Sequence, residues 1–358
     1  MAIIAADTHL DDGTWLHQQD ICGDSRWSFQ FIVNLAVDKA LPLILAGDVL
    51  DVKRPSSDTL DFLKIQCQRL SYLYFIQGQH EMADPPWLQL LLPTAVHLHK
   101  TVVPVGGLSI GGLDWTPANK LSEALSNLKP ADVYVMHQVW QEFMGSVTSP
   151  EGSLGDITCA RLVVTGDLHK FQKHYIKRAN PLTVYSPGAT HMRKINEPSK
   201  NFCLVLHRDL SVTPVQIPTR KCIQLKLLQE AQLTDLLANF KLIEDKQAWL
   251  KSVDKRLPED LRKPIIRVSY AESLMDKIPV LLNLLAANYH VFTKCLPKED
   301  LYALERSRMA KKLRARGPTG CLSQLVDPKS EDYKVLRRLM SFDDPAAELL
   351  KIKREFGL

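Results

Sequence analysis

Cysteine is sparse in this chain and falls into no paired arrangement. The seven cysteines, at positions 22, 67, 159, 203, 222, 295 and 321, form no C-x-x-C pair and leave an odd one over. That argues against a disulfide framework and against a cysteine-based zinc site, and for a reducing compartment. No apolar run approaches the ~18 residues that a membrane span requires, so no membrane association is expected. The opening MAIIAADTHL meets an aspartate at position 7, which interrupts any signal-peptide core. The expectation is a soluble protein of the cytoplasm, or of the host cytoplasm if the source is a virus. Internal repeats and low-complexity segments are also missing. Neither charge sign dominates: a net charge of +5 permits a polyanionic partner without requiring one.

The 358 residues are long for one domain, and two or three units are expected. Short apolar runs, each ending in polar residues, mark strands at Ile3–Ala6, Leu43–Ala46, Leu73–Ile76, Val133–Met136 and Leu162–Thr165. Helical spacing appears over 26–40, 57–70 and 118–128, with a short leucine-rich helix over 87–92. Alternating apolar residues with glycines over 102–115 read as a hairpin. From 183 to 217 the pattern is mostly β. Such a chain fits two packed sheets with outer helices. Pro218–Lys221 reads as a boundary, followed by a small α+β unit and then a helical, charged terminus in which 306–316 holds six basic residues in eleven.

The chemistry stands at the strand ends. Asp7 and His9, then Asp48, then Gln79 and His80, then His137, then Asp167 and His169 each follow an apolar strand. In an α/β sheet, ligands gather outside the carboxyl ends of the strands. Residues i and i+2 leaving a strand point the same way, so the two Asp-x-His pairs can each reach a single ion. Two divalent ions ~3.5–4 Å apart clamp the attacking and leaving oxygens of a phosphate ester, and they need a bridging carboxylate with further anionic ligands around it. Mixed carboxylate and imidazole ligation suits manganese, iron or zinc better than magnesium. Two divalent ions are expected, manganese first, with magnesium, iron or zinc as alternatives.

The stretches Asp7-Thr8-His9, Gly47-Asp48-Val49-Leu50-Asp51, Gly78-Gln79-His80-Glu81, Met136-His137-Gln138 and Gly166-Asp167-Leu168-His169 resemble the five motifs of the calcineurin-like metallophosphoesterases. Within that superfamily they resemble the SbcD-like nucleases, partners of an SbcC-type ATPase in double-strand-break processing. The Tyr185-Ser186-Pro187-Gly188 turn and Pro218-Thr219-Arg220 favour the same branch. The resemblance covers residues 1 to about 220 well, and the rest only by size and position.

It implies a four-layer α/β/β/α metallophosphoesterase sandwich over 1–218, a small α+β capping domain over 219–300 and a helical ATPase-binding tail over 301–358. One metal would be held by Asp7, His9, Asp48 and His169, and the other by Asp48, Gln79, His137 and Asp167. His80 would face the scissile phosphate, oriented by Asp51 or Glu81, and a water of lowered pKa would be the nucleophile. The implied activity is metal-dependent exonucleolytic or endonucleolytic cleavage of DNA in repair, recombination or replication. The implied partners are DNA, the ATPase and a possible second copy of the chain.

Two positions depart from the usual motifs: Gln79 stands where asparagine is usual, and Asp167 where histidine is usual. Both fall on the second metal, whose affinity is expected to differ from that in relatives. Lys170, Lys173, Arg193 and Lys194 are candidate contacts to DNA phosphates, with a solvated face as the alternative. Trp140, Phe143 and Met144 read either as an apolar wedge beside the site or as loop packing. A phosphatase or phosphodiesterase of small phosphoesters, or a non-catalytic scaffold, remain open as alternative functions.

Overall fold

The computed structural model describes residues 1–10, 24–144, 150–193, 197, 200–238 and 255–297. Two six-stranded sheets dominate. The first runs β12-β11-β1-β2-β3-β4, formed by β1 (Ala2–Ala5), β2 (Leu43–Ala46), β3 (Leu73–Ile76), β4 (Val96–His97), β11 (Asn201–Leu206) and β12 (Val212–Ile217). The second runs β5-β6-β7-β8-β10-β9, formed by β5 (Val102–Val105), β6 (Leu108–Leu113), β7 (Val133–His137), β8 (Leu162–Gly166), β9 (Gln172–Ile176) and β10 (Leu182–Ser186). Helices α1 (Asp24–Asp38), α2 (Ser57–Cys67) and α3 (Trp87–Leu91) connect strands of the first sheet, and α4 (Ala118–Ser126) and α5 (Gln141–Met144) those of the second.

Side-chain alternation builds the layers, because successive strand residues face opposite sides of a sheet. Ile4, Ile44 and Ile76 turn inward and share one buried cluster with Ile110, Val133, Val135 and Val164 of the other sheet. Their neighbours Ile3, Leu43, Leu45 and Phe75 turn outward and pack with Phe29, Ile32, Val33 and Leu63 of α1 and α2. On the far side, Tyr134, Met136 and Val163 pack with Leu121 and Leu125 of α4. The result is the α/β/β/α sandwich. Each fully buried aliphatic side chain in these layers contributes about 1.5–3 kcal/mol.

Register then decides where the site lies. β1, β2 and β3 are parallel neighbours, with Ile4 opposite Ile44 and Ile44 opposite Tyr74. β7 and β8 are likewise parallel, with His137 opposite Gly166. The carboxyl ends of β1, β2 and β3 therefore leave the first sheet along one edge, as those of β7 and β8 leave the second.

Differences from the sequence reading are local. The helix expected over 57–70 ends at Cys67, and the one expected over 26–40 begins at Asp24. Strand β9, which holds the candidate phosphate contact Lys173, is not among the strands expected from the sequence. It is an edge strand with Lys173 and Tyr175 exposed, and an edge carrying charge offers no apolar run to detect. Trp140 is fully buried and its Nε1 donates to Thr165 Oγ1 at 3.0 Å, so it belongs to the core rather than to a wedge.

Past Pro218 the chain forms a third sheet, β13-β14-β15, from β13 (Cys222–Leu227), β14 (Ile265–Ala271) and β15 (His290–Leu296), with α6 (Glu230–Ala238) and α7 (Ile278–Ala286) between successive strands. Two compact units divide the chain. Their described residues run through Gln224 with 255–267 and 285–292 in the first, and cover 225–238, 268–284 and 293–297 in the second. Within the first unit, Arg220 is buried and its guanidinium donates to Asp24, and Trp27 Nε1 donates to the Pro218 carbonyl at 3.1 Å. The tail expected over 301–358, including the basic run 306–316, lies outside the described residues. No helix among the described residues is long and apolar enough to cross a membrane.

Candidate metal centre

Four residues at the strand ends adopt left-handed backbone conformations: Asp7 at φ 53°, His9 at 40°, Asp48 at 48° and Asp167 at 79°. Non-glycine residues seldom do so, and each such conformation costs on the order of 1–3 kcal/mol. The same bend lifts each side chain off its strand and onto the rim. Two glycines make room for them. A Cβ on Gly78 would stand 2.1 Å from Asp48 Oδ1, and one on Gly47, itself at φ +83°, would stand 2.3 Å from His137 Nδ1.

The side chains converge. His9 Nε2 lies 3.1 Å from His169 Nε2, 3.8 Å from Asp48 Oδ2 and 4.0 Å from Asp7 Oδ1. His137 Nε2 lies 3.3 Å from Asp48 Oδ2 and 3.9 Å from Asp7 Oδ1. Among the described residues, three overlapping groups have the spacing to hold a cation: Asp7, His9 and His169; Asp7, Asp48 and His137; and His9, Asp48 and His80. Gln79 and Asp167 meet each other, the Gln79 amide donating to Asp167 Oδ1 at 2.8 Å. The Asp167 backbone N–H donates to both oxygens of Asp7, tying the last motif to the first.

The donor atoms point to a cation. His137 Nδ1 is 2.8 Å from the Ala46 carbonyl, which can only accept, so Nδ1 carries a proton and a neutral ring has its lone pair on Nε2. His137 Nε2, Asp48 Oδ2 and Gln79 Oε1 are all buried without a hydrogen-bond partner among the described residues. Buried polar atoms are rarely left so, and three together, drawn from an imidazole, a carboxylate and an amide, fit a divalent cation.

Charge coupling follows from the same packing. Burial raises Asp7, against the pull of His137 and His169, to a pKa of about 6. Burial opposes ionisation of Asp48 too, but His137, His9 and His80 outweigh it and hold that carboxyl well below its usual range. His137 is desolvated yet held protonated well above its ordinary pKa by Asp48, Asp7 and Asp167. His9 is driven the other way, by burial and by the Arg193 guanidinium.

Of the residues expected to act beside the metals, His80 is the more open, with its side chain 37% exposed. Its Nδ1 sits 3.0 Å from the Asp51 carbonyl and 3.5 Å from Asp51 Oδ1, and its backbone N–H donates to Asp48 Oδ1. Glu81 is buried and accepts from the backbone of Leu50 at 2.7 Å and of Gly78 at 3.3 Å. It thus joins the second and third motifs through main chain. Burial and the nearby Asp48 push its pKa up to about 8. Lys170 and Lys173 are exposed, Lys173 Nζ lying 5.1 Å from the Tyr185 ring centre. Lys194 lies outside the described residues. Arg193 is buried inside the site, bonded to Asp51 and to His9 Nε2. One partner escaped the sequence reading: Glu197 Oε1 is 2.8 Å from His169 Nδ1. It follows no strand, so nothing in the pattern marks it.

No family model matches the chain, and no curated protein matches it. A solved structure described as a novel archaeal phosphodiesterase aligns with 60% of this chain and 98% of its own, at 11% identity and a TM-score of 0.34. At that score the likeness carries no argument, and the functional reading rests on the rim itself.

Proposed function

We propose that this chain is a two-metal phosphodiesterase of the calcineurin-like kind that hydrolyses DNA, working as the nuclease subunit beside an SbcC-type ATPase in repair, recombination or replication. The observation that carries the hydrolase reading is the buried pair of facing atoms Asp48 Oδ2 and His137 Nε2, 3.3 Å apart at the strand ends, neither of which makes a hydrogen bond among the described residues. Asp7, His9, Asp48 and His169 would hold one ion, and Asp48, Gln79, His137 and Asp167 the other, with manganese favoured over magnesium, iron or zinc. Bound there, such ions supply Lewis acidity and lower the pKa of water.

The protein's own part is orientation and proton handling. The Ala46 carbonyl fixes the His137 tautomer, Glu197 and Asp51 orient His169 and His9, and the strained backbones hold the carboxylates in place. His80, the exposed imidazole anchored on Asp51, is suited to protonate the leaving oxygen. DNA is favoured as substrate by the exposed Lys170 and Lys173 near the last motif, since phosphate contacts of this kind supply most non-specific affinity, and by the chain that continues past the sandwich. That continuation, read as a cap over 219–300 and a docking tail over 301–358, exceeds what a small-substrate enzyme needs. A second copy of the chain is a further candidate partner.

A cleavage assay with manganese on linear duplex DNA, single-stranded DNA and an aryl phosphodiester tests this reading. DNA cleavage that is lost in His80→Ala supports it. Turnover of the aryl ester alone would favour a small-substrate phosphodiesterase, and no turnover of any substrate a non-catalytic scaffold.

A further inference from the structure

We propose that Arg193 is a direct ligand of the phosphoryl group on which the site acts, reaching it from inside the metal centre. This deepens the phosphodiesterase reading and rests on it. Arg193 is only 8% exposed, and a guanidinium that is buried must find acceptors for five N–H bonds. Its Nη2 donates to Asp51 Oδ1. Its Nη1 donates to His9 Nε2 at 3.2 Å. Its Nε is buried without a partner among the described residues. The main chain at this position is pinned as well, the Arg193 N–H donating to Glu197 Oε2 at 2.7 Å, while the other oxygen of Glu197 takes His169 Nδ1.

The acceptor that Nη1 uses is the one it cannot keep. His9 Nε2 faces His169 Nε2 and Asp7 in a group with ligating geometry. With that lone pair committed to ligation, Nη1 and Nε are both left without acceptors among the described residues in a buried place, which is costly. Asp51 meanwhile keeps the guanidinium from leaving. The same carboxylate stands 3.1 Å from His9 Nδ1 and 3.5 Å from His80 Nδ1, so it links the arginine to the first ligand group and to the imidazole proposed above to protonate the leaving oxygen. The acceptor that fits this position is an anionic oxygen of the phosphoryl group. Charge there grows as the ester is attacked, so a fixed guanidinium binds the transition state better than the ground state.

The test compares the full-length protein with Arg193→Lys and Arg193→Ala, using inorganic phosphate as the probe. Lysine keeps a cation on Asp51, and so the fold, but has no second arm. Thermal melting checks folding, calorimetry gives manganese affinity without phosphate and phosphate affinity with manganese saturating, and cleavage of a dinucleotide phosphodiester gives kcat/KM. Folded Arg193→Lys should bind manganese within about threefold of wild type, bind phosphate about 10–100-fold more weakly and lose a similar factor in kcat/KM, as expected for one charge-assisted hydrogen bond. Phosphate affinity unchanged in both variants overturns the proposal. So does a loss of phosphate affinity that merely tracks a loss of manganese affinity, for then Arg193 only positions His9. A wild-type protein that neither takes up manganese nor cleaves the diester brings down the parent reading as well, which separates the two failures.

Discussion

Replacing Asp48 by asparagine separates the fold from the metal site, because the structure assigns its two oxygens different tasks. Oδ1 accepts the His80 backbone N–H at 3.0 Å, and the asparagine carbonyl keeps that bond. Oδ2 makes no hydrogen bond among the described residues and is ion-paired with His137 Nε2 at 3.3 Å. An amide nitrogen placed there can donate to that nitrogen once the imidazole is neutral, with His137 Nδ1 still donating to Ala46. The metal-free variant therefore keeps its packing and loses chiefly the charge pairing with His137, together with the longer pairings with His9 and His80. That pairing raises the folded pKa of His137, so its stabilisation is fully present below the ordinary histidine pKa and fades as pH rises through the folded one. The variant's deficit should accordingly shrink from pH 6 to pH 9.

Metal binding behaves oppositely. At a manganese concentration of 100 times Kd, wild type gains about 2.7 kcal/mol by mass action. For a domain of this size that is a rise in Tm of roughly 5–11 °C. Asp48→Asn should show almost none of it and no diester hydrolysis. Melting curves with chelator and with manganese, at pH 6, 7.5 and 9, make the measurement. A variant whose Tm rises with manganese as much as wild type would refute the bridging role of Asp48, and with it the ligand assignment.

Manganese affinity should increase with pH. Asp7 at a pKa of about 6 and His137 held protonated well above its ordinary value must both release protons on binding, so below pH 6 calorimetric affinity should fall by about tenfold or more per unit. Gly78→Ala should abolish activity, because its Cβ would lie 2.1 Å from Asp48 Oδ1 and the carboxylate must move; a folded variant with wild-type kcat/KM would contradict that. Arg220→Ala takes the guanidinium donors away from the buried Asp24 carboxylate and should lower stability by about 1.5–3 kcal/mol in denaturant titration, whatever metal is present.

The rim residues were legible in the chain because each follows a short apolar run that breaks into polar or turn residues, the mark of a buried strand, and a strand end is a fixed place in an α/β fold. The layers were legible for a similar reason: Ile3, Ile4, Leu43, Ile44 and Leu45 are apolar on both faces, which only a sheet covered on both sides tolerates. Strand β4 of two residues and the charged edge β9 escaped because edges bury too little to impose a pattern.

By itself, then, the sequence determined which side chains could ligate a cation and the order in which strands would deliver them. Only the tertiary structure decided how those side chains are held. The left-handed turns at Asp7, His9, Asp48 and Asp167, the Ala46 carbonyl on His137, Glu197 on His169 and the burial of Arg193 against Asp51 all join residues far apart in the chain. Such contacts depend on the register of parallel strands and on two sheets closing over one core. Local periodicity records which face of a strand is buried, but not which distant atom will meet it there.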